Sequence, residues 1–218
     1  MSELNLADHI RFCEVSGQRI FLDLKTDRYF SLPPAADAAF SALVHGGASV
    51  SGEAGGLYAA GLLSEPPAGR PIEPTSHPLP SDSFVEDGEL GRGLGAPLLA
   101  EVLILVLRAR HQVRRKRLPK LLVSGARADP SLADGGRGRR DEALGRFLRA
   151  RRALPIAPNC LYDSLALRRF LERRSIAADL VIGTKLHPFA AHCWLQDGTT
   201  VLNDSLAAAR GFTPILVA

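Results

Sequence analysis

The sequence has few cysteines and no signal for export. Its 218 residues include only three cysteines, Cys13, Cys160 and Cys193, and an odd number does not build a disulfide framework. The first ten residues lack the basic and apolar regions of a signal peptide. These absences predict a protein of the reducing cytoplasm.

Long apolar runs are absent as well. The most apolar stretch, residues 96–107 (APLLAEVLILVL), is too short for a membrane helix and contains Glu101, so it predicts a buried helix and no membrane partner. We also find no phosphate-binding loop and assign no bound cofactor. With 46% hydrophobic residues, the chain can bury the core of one ordinary domain or of two small ones.

Charge is distributed unevenly. Residues 1–89 contain 5 basic and 13 acidic residues, a net charge of −8, whereas residues 108–152 contain 15 basic and 4 acidic residues, a net charge of +11. Basic stretches can attract nucleic acid, but aromatic residues do not interleave with this one and zinc-finger spacing is absent. We therefore expect solvated helix faces or docking to an acidic surface, and no nucleic-acid partner.

The hydrophobic pattern divides the chain into two domains of α+β class. Residues 10–32 predict three antiparallel strands (IRFCEV, QRIFLDL and RYFSL), and helical patterns follow in residues 33–47 and 49–63. Residues 65–95 are rich in proline, glycine, serine and acid, which indicates a linker between domains of residues 1–64 and 96–218. The second domain is expected to contain helices in residues 97–117, 141–152 and 160–174, a mobile loop in residues 126–140, and strands in residues 178–184, 190–196 and 200–204.

Three residues of the second domain could carry chemistry together. Asn159 is a good N-cap, so Cys160 lies in the first turn of a helix, where free backbone N–H groups favour a thiolate. His192 lies on a predicted strand, and a hairpin could bring Asp204, at the end of the next strand, to its imidazole. Cysteine, histidine and aspartate in that order predict a nucleophile, a proton carrier and an orienting carboxylate.

Each residue also has a plainer interpretation. A single cysteine among leucines often only packs, and a strand histidine is often just a hydrogen-bonded polar group. Cys13 and Cys193 are assigned to packing, and His187 to a loop. His192 and Cys193 point to opposite faces of their strand, so they do not form a metal site together, and we expect no metal. Ser164, one helical turn after Cys160, either lines the site or packs.

The last 60 residues resemble the transglutaminase-like cysteine peptidases of lasso-peptide biosynthesis, the B proteins that remove the leader of the precursor peptide. The resemblance rests on the CL..SLAL helix that opens with Cys160, the F.AH.W strand with His192, and the ND pair that ends with Asp204. It implies a transglutaminase-like or papain-like domain with these three residues as the catalytic triad. Cys193 replaces a common alanine, and Tyr162 and Asp163 replace a common proline and basic residue. No side chain is identified that would help the Cys160 N–H hold an oxyanion.

The stretch FLDLKTDRYFSLPP is similar to the leader-binding module of ribosomally made, modified peptides, a winged-helix-like relative of the chaperone of pyrroloquinoline quinone biosynthesis. In that family the leader adds as a strand to the sheet edge. The resemblance places Arg28, Tyr29, Phe30 and Leu32 near the leader, although packing is an alternative for Tyr29 and the preferred one for Leu32.

Together the two resemblances imply a leader peptidase whose partners are the lasso precursor and an asparagine-synthetase-like lasso cyclase, with a possible dependence on ATP. The alternatives left open are a non-catalytic protein that presents the precursor, and a transglutaminase-like acyl transferase.

Overall fold

The computed structural model describes residues 4–44, 53–87, 93–115 and 133–218. The chain forms two compact units, Met1–Ser76 with Thr213–Leu216, and His77–Phe212 with Val217–Ala218. The division between Ser76 and His77 lies inside residues 65–95, which we predicted as a linker. The functional limits 1–64 and 96–218 remain predictions.

The first unit contains a three-stranded antiparallel sheet, as the sequence predicts. Its elements are β1 (Asn5–Leu6), β2 (Ile10–Val15), β3 (Gln18–Asp23), β4 (Arg28–Phe30), α1 (Pro34–Val44), α2 (Glu53–Ala59) and β5 (Leu63–Ser64). The sheet has the order β2-β3-β4, and β1 pairs separately with β5. Residues 45–47, at the end of the first predicted helix, lie outside the described residues.

A tight turn sets the register of this sheet. Ser16 and Gly17 both have positive φ, 50° and 77°, which suits the two-residue hairpin turn that follows the twist of the strands. Val15 therefore pairs with Gln18, and Phe12 lies opposite Phe21. One face of the sheet is in this way directed toward α1.

Aromatic rings form the centre of the first unit. Phe40 of α1 meets Phe12 and Phe21 edge-on, with ring centroids 5.1 and 5.0 Å apart, and Phe30 stacks on Phe21 at 5.4 Å. Arg19 of β3 bonds to both Asp37 and Ser41 of α1 and so holds the helix on the sheet. The sheet and α1 thus share one core.

The predicted linker takes part in regular pairing. In the first unit, Arg70 and Leu6 exchange backbone hydrogen bonds of 2.8 and 2.9 Å. In the second, Asp82–Ser83 forms β6 and Phe84–Asp87 forms α3. The proline-rich composition of residues 65–95 predicts irregular backbone. These pairings were not predicted, because a short pairing with a distant partner leaves no periodic pattern in the sequence.

The second unit combines a mixed sheet with helices. Its further elements are α4 (Ala96–Arg114), α5 (Ala133–Ala153), α6 (Cys160–Glu172), β7 (Asp179–Lys185), β8 (Ala190–Asp197), β9 (Thr200–Val201) and α7 (Leu206–Arg210). Within this unit the strands have the order β7-β8-β9-β6, with β6 parallel to β9. A last strand, β10 (Thr213–Val217), is divided between the two units. The predicted α+β class is confirmed. No helix in the described ranges is both long and apolar enough to cross a membrane.

Two details of the second unit differ from the prediction. Residues 133–140, predicted as part of a mobile loop, belong to α5, and residues 126–132 lie outside the described part of the chain. Gly135, Gly136 and Gly138 lower the local helix propensity, and the helix forms in spite of them. Of the strand predicted over residues 200–204, only Thr200–Val201 is a strand in the structure. Asn203 and Asp204 belong to the irregular backbone that follows.

Charged pairs join the helices of this unit to each other and to the sheet. Arg174, two residues after the end of α6, makes two hydrogen bonds of 2.8 and 3.2 Å to Glu101 of α4. Arg140 of α5 pairs with Asp197 at the end of β8. Inside the sheet, Trp194 packs with Val181, and both are almost fully buried.

We predict that Gly183→Ala destabilises the second unit. A Cβ at Gly183 would lie 2.8 Å from Phe212 Cβ and 2.9 Å from the Trp194 ring, so the substitution should lower the free energy of unfolding by about 1–3 kcal/mol. Urea denaturation followed by circular dichroism measures the change. Gly138→Ala is the control, because nothing lies within 4 Å of it in α5, and it should raise stability by about 0.5–1 kcal/mol. Equal stability of Gly183→Ala and the unmodified protein would contradict this packing.

Candidate active site

Cys160 begins α6, as the sequence predicts. Asn159 is the N-cap, and its side chain accepts a hydrogen bond of 3.0 Å from the Tyr162 N–H. The Asn159 N–H in turn donates to Asp163 Oδ2 at 3.1 Å. This reciprocal cap fixes the first turn, and the exposed Cys160 thiol lies at the positive end of the helix.

A buried arginine holds the segment before Cys160. Arg151 of α5 donates to Asp163 Oδ1 at 2.7 Å and to the carbonyls of Ile156 and Ala157 at 3.1 and 3.2 Å. Asp163 is therefore part of the scaffold that sets the entry into α6. This role of Arg151 could not be predicted from the sequence, because Arg151 is one of many arginines in a basic helix.

His192 lies on β8 next to the Cys160 side chain, and each of the two groups shifts the pKa of the other. Its ring stacks on Trp194, with centroids 5.9 Å apart, and meets Phe212 at 5.1 Å. Side chains alternate along a strand, so His192 and Trp194 lie on one face of β8 and Cys193 lies on the other, as the sequence predicts for His192 and Cys193. The two aromatic rings restrict the imidazole to one orientation.

Asp204 bonds to the opposite side of that imidazole. His192 Nε2 and Asp204 Oδ2 lie 2.7 Å apart, which leaves Nδ1 as the ring nitrogen that can exchange a proton with Cys160. The other carboxylate oxygen, Oδ1, accepts the Ser205 N–H at 2.7 Å. The structure thus brings together the three residues that the sequence suggested.

Two polar side chains that the sequence did not single out hold Asp204 and its neighbour in place. Ser83 of β6 is 1% exposed, and its hydroxyl donates to the Asp204 carbonyl at 2.6 Å. Asn203 accepts the Leu195 N–H at 2.8 Å and donates to Ser164 Oγ at 2.8 Å. These residues lie on elements too short or irregular to be recognised from periodicity.

Ser164 joins the helix to the strand. It is fully buried, and its hydroxyl donates to the Cys193 carbonyl at 3.1 Å while accepting from Asn203. Because Ser164 lies one turn after Cys160 and Cys193 follows His192, this bond sets the spacing between the thiol and the imidazole. Ser164 packs below the site.

Hydrogen bonding shifts the pKa values of the three groups. The hydrogen bonds with Asp204 and then Cys160 raise the pKa of His192 to about 9. The bond to His192 lowers the pKa of the Cys160 thiol, with further help from the backbone N–H groups of Cys193 and Leu161, although burial opposes it. For Asp204, burial is the largest influence and disfavours the charge, but bonds from His192 and the Ser205 N–H lower its pKa overall. A thiolate paired with an imidazolium is the form that these shifts favour.

The remaining candidates lie apart from this group. Cys13 and Cys193 are buried, and burial raises the pKa of the Cys193 thiol. His187 is exposed in the turn between β7 and β8. Across the described ranges, no cluster of three or more histidine, cysteine and acidic side chains could hold a metal ion.

The residues proposed for leader binding belong to the first unit. Arg28 is exposed, and Tyr29 is half-buried on β4. Phe30 and Leu32 pack against the hydrophobic core around Phe21. Their contribution to leader binding remains a prediction.

Two comparisons with known proteins found a match. A family model described as the transglutaminase-like superfamily matches residues 102–217, which is more than half of the chain. A segment of 47 residues is 47% identical to the microcin J25-processing protein McjB of Escherichia coli and covers 22% of this chain and 23% of that protein. The chain thus spans about a quarter of the length of the curated relative it matches. No solved structure matches. Because the family model covers more than half of the chain, and Cys160, His192 and Asp204 lie inside the matched region, the chain belongs to the transglutaminase-like superfamily.

Proposed function

We propose that this protein is a cysteine endopeptidase that binds the leader of a lasso-peptide precursor and cuts it from the core peptide. The observation that carries the proposal is the placement of Cys160 at the start of α6 next to His192, whose Nε2 lies 2.7 Å from Asp204 Oδ2. The likeness of one segment to a microcin-processing protein supports the choice of substrate class.

The first chemical step is acylation. The Cys160 thiolate attacks the carbonyl carbon of the last leader residue, and the Cys160 N–H stabilises the oxyanion that forms. When the C–N bond breaks, the His192 imidazolium gives its proton to the departing amine, which is the N-terminus of the core peptide. The leader remains attached to Cys160 as a thioester.

The second step is hydrolysis. Neutral His192 takes a proton from a water molecule, and the resulting hydroxide attacks the thioester carbonyl. The C–S bond then breaks, so that the leader departs as a carboxylic acid, which loses its proton to solvent, and Cys160 is released as a thiolate beside the imidazolium. Asp204 stays ionised in both steps and keeps Nδ1 of His192 directed at the sulfur.

The first unit would supply the leader-binding surface. Among the described residues β4 pairs with one strand only, β3, whereas the Phe12 carbonyl of β2 already accepts the Thr75 N–H at 2.8 Å. The outer edge of β4 is therefore where an extended peptide could add as a fourth strand. Tyr29 and Arg28 would contact it, and Phe30 and Leu32 would keep β4 on the core.

The product would be a core peptide with a free amino group. That amine is the nucleophile needed to form a macrolactam with an Asp or Glu side chain, and an asparagine-synthetase-like cyclase is the proposed partner for this step. A reducing compartment such as the cytoplasm would keep Cys160 available as a thiolate.

We predict that Cys160→Ala abolishes cleavage but not binding of the precursor. Removal of the nucleophile should lower the cleavage rate by more than about 10³-fold, as measured by mass spectrometry of precursor incubated with the protein, with and without ATP and cyclase. Cys193→Ala is the control, because that thiol is buried and should leave cleavage nearly unchanged.

Other outcomes of the same experiment identify the alternatives. Equal cleavage by Cys160→Ala and the unmodified protein would contradict the nucleophile, and binding without cleavage by either would indicate a presenting protein. A gain of mass when an amine is added would indicate acyl transfer.

We predict a bell-shaped dependence of kcat/KM on pH. Activity should rise as Cys160 loses its proton, at a pH below the ordinary thiol range, and fall as His192 loses its proton near pH 9. Asp204→Asn removes the largest influence that raises the pKa of His192, so the falling limb should move to lower pH and the maximum should drop by about 10²- to 10⁴-fold.

The matched control is Asp179→Asn. Asp179 pairs with His77 at 3.1 Å in the same unit but outside the site, so its loss should leave both limbs in place. A falling limb that stays near pH 9 in Asp204→Asn would contradict the assigned role of Asp204.

We predict that Tyr29→Ala weakens leader binding by about tenfold or more, because it removes an aromatic contact beside the β4 edge. Fluorescence anisotropy of a labelled leader peptide with the full-length Cys160→Ala protein measures this. Arg70→Ala, an exposed change elsewhere in the first unit, should bind normally. Equal affinity for the Tyr29 and Arg70 variants would contradict the placement of the leader on β4.

A further inference from the structure

A cavity of about 430 Å³ lies between α4 and α6, away from the thiol. Arg168 and Arg169 of α6 and Arg108 of α4 are among the residues that line it. Arg168 is eight residues after Cys160, which is about 12 Å along the helix at 1.5 Å per residue. The proposed peptidase chemistry makes no use of this cavity.

One guanidinium in the cavity is buried without a full set of partners. Arg168 is 4% exposed, and its Nε lies 3.1 Å from Glu172 Oε1. Its Nη1 is shielded from solvent and has no hydrogen-bond acceptor in the described part of the chain, and the adjacent Glu172 Oε1, which is also buried, accepts no hydrogen bond there. A buried cationic N–H without an acceptor costs free energy, so this atom marks a place where an acceptor would bind.

The charge around the cavity is positive. Arg108, Arg168, Arg169 and Arg173 line it together with a single acid, Glu172, which is shared between Arg168 and Arg169. Arg173 also lies 3.6 Å from Glu101. Even when both carboxylates are counted in full, two positive charges remain unbalanced.

The end of α6 explains only part of this arrangement. Basic side chains near a helix C-terminus interact favourably with the helix dipole, which accounts for Arg169 and Arg173 near Glu172. It does not account for Arg108, which belongs to α4, or for the unpartnered Nη1 of Arg168 one turn deeper. Guanidinium groups from two helices that converge on one cavity form the donor set that binds phosphate oxygens in pairs.

We propose that this cavity, here called the α4–α6 arginine cavity, binds an oligophosphate, either free or as the phosphate chain of a nucleotide. Its volume falls in the usual range for small-ligand sites. Arg168 Nη1 would donate to an oxygen at the deep end, and Arg108 and Arg169 would bind the outer phosphates. Leu105, Ala109 and Leu165 give the cavity an apolar wall that could contact a nucleobase.

The test is titration of the full-length protein with sodium tripolyphosphate, followed by calorimetry and thermal unfolding. We expect saturable binding of one equivalent and a higher unfolding temperature. Arg108→Gln, which changes an exposed side chain, should weaken binding at least tenfold. Arg110→Gln removes the same charge from the same helix but does not line the cavity, and it should bind within twofold of the unmodified protein.

Arg168→Gln is a second variant and should also weaken binding at least tenfold. Arg168→Gln disturbs the buried pair with Glu172 and therefore could prevent folding. In that case Arg108→Gln alone decides the test. Absence of saturable binding, or equal losses in Arg108→Gln and Arg110→Gln, would overturn the proposal. Displacement of tripolyphosphate by a hexaglutamate peptide at equal concentration would also overturn it, since the cavity would then serve acidic peptides.

Titration with ATP distinguishes a site for a nucleotide from a site for a free oligophosphate. Affinity for ATP at least tenfold higher than for tripolyphosphate would support a nucleotide site with the base on the apolar wall. Equal affinities would support a site for the phosphate chain alone. This test does not depend on cleavage, so the arginine cavity and the proposed peptidase can fail independently.

Discussion

The hydrogen bond from the Ser164 hydroxyl to the Cys193 carbonyl joins the helix that starts at Cys160 to the strand that carries His192. Everything in the candidate site depends on this junction, because the thiol and the imidazole belong to elements with no direct connection in sequence. Asn203 completes it by bonding both to Ser164 and to the Leu195 N–H. The Ser164 hydroxyl and the Asn203 side-chain amide thus hold three segments in fixed positions: the helix α6, the strand β8 and the loop that contains Asp204. Buried polar groups with all partners present favour a single arrangement over several similar ones.

The electrostatics of the site follow from the same alignment. Asp204 remains charged in a half-buried position because His192 and the Ser205 N–H donate to it, and that charge in turn stabilises the imidazolium. The imidazolium then stabilises the thiolate at the end of α6, where the helix dipole acts in the same direction. The charges along this line alternate in sign, so each group makes ionisation of the next one easier.

The sequence predicted those parts that have a local signal. Alternating residues and the Ser16–Gly17 turn predicted the three strands, and the Asn159 cap predicted the start of α6. Cys160, His192 and Asp204 were recognised as a set from their order. Arg151, Ser83 and Asn203 were not, because each acts through contacts with residues distant in the chain, and an arginine in a basic helix has no distinguishing pattern. The pairings of Arg70 and of Asp82–Ser83 within the predicted linker were missed for the same reason.

The packing of His192 has a spectroscopic consequence. Trp194 is the single tryptophan of the chain, and its indole lies under the imidazole, with ring centroids 5.9 Å apart. Loss of the proton from His192 removes a positive charge from directly above the chromophore, while the buried surroundings of the indole keep solvent away from it. The emission of this one residue is therefore an intrinsic optical reporter of the charge state of the site, without any added label.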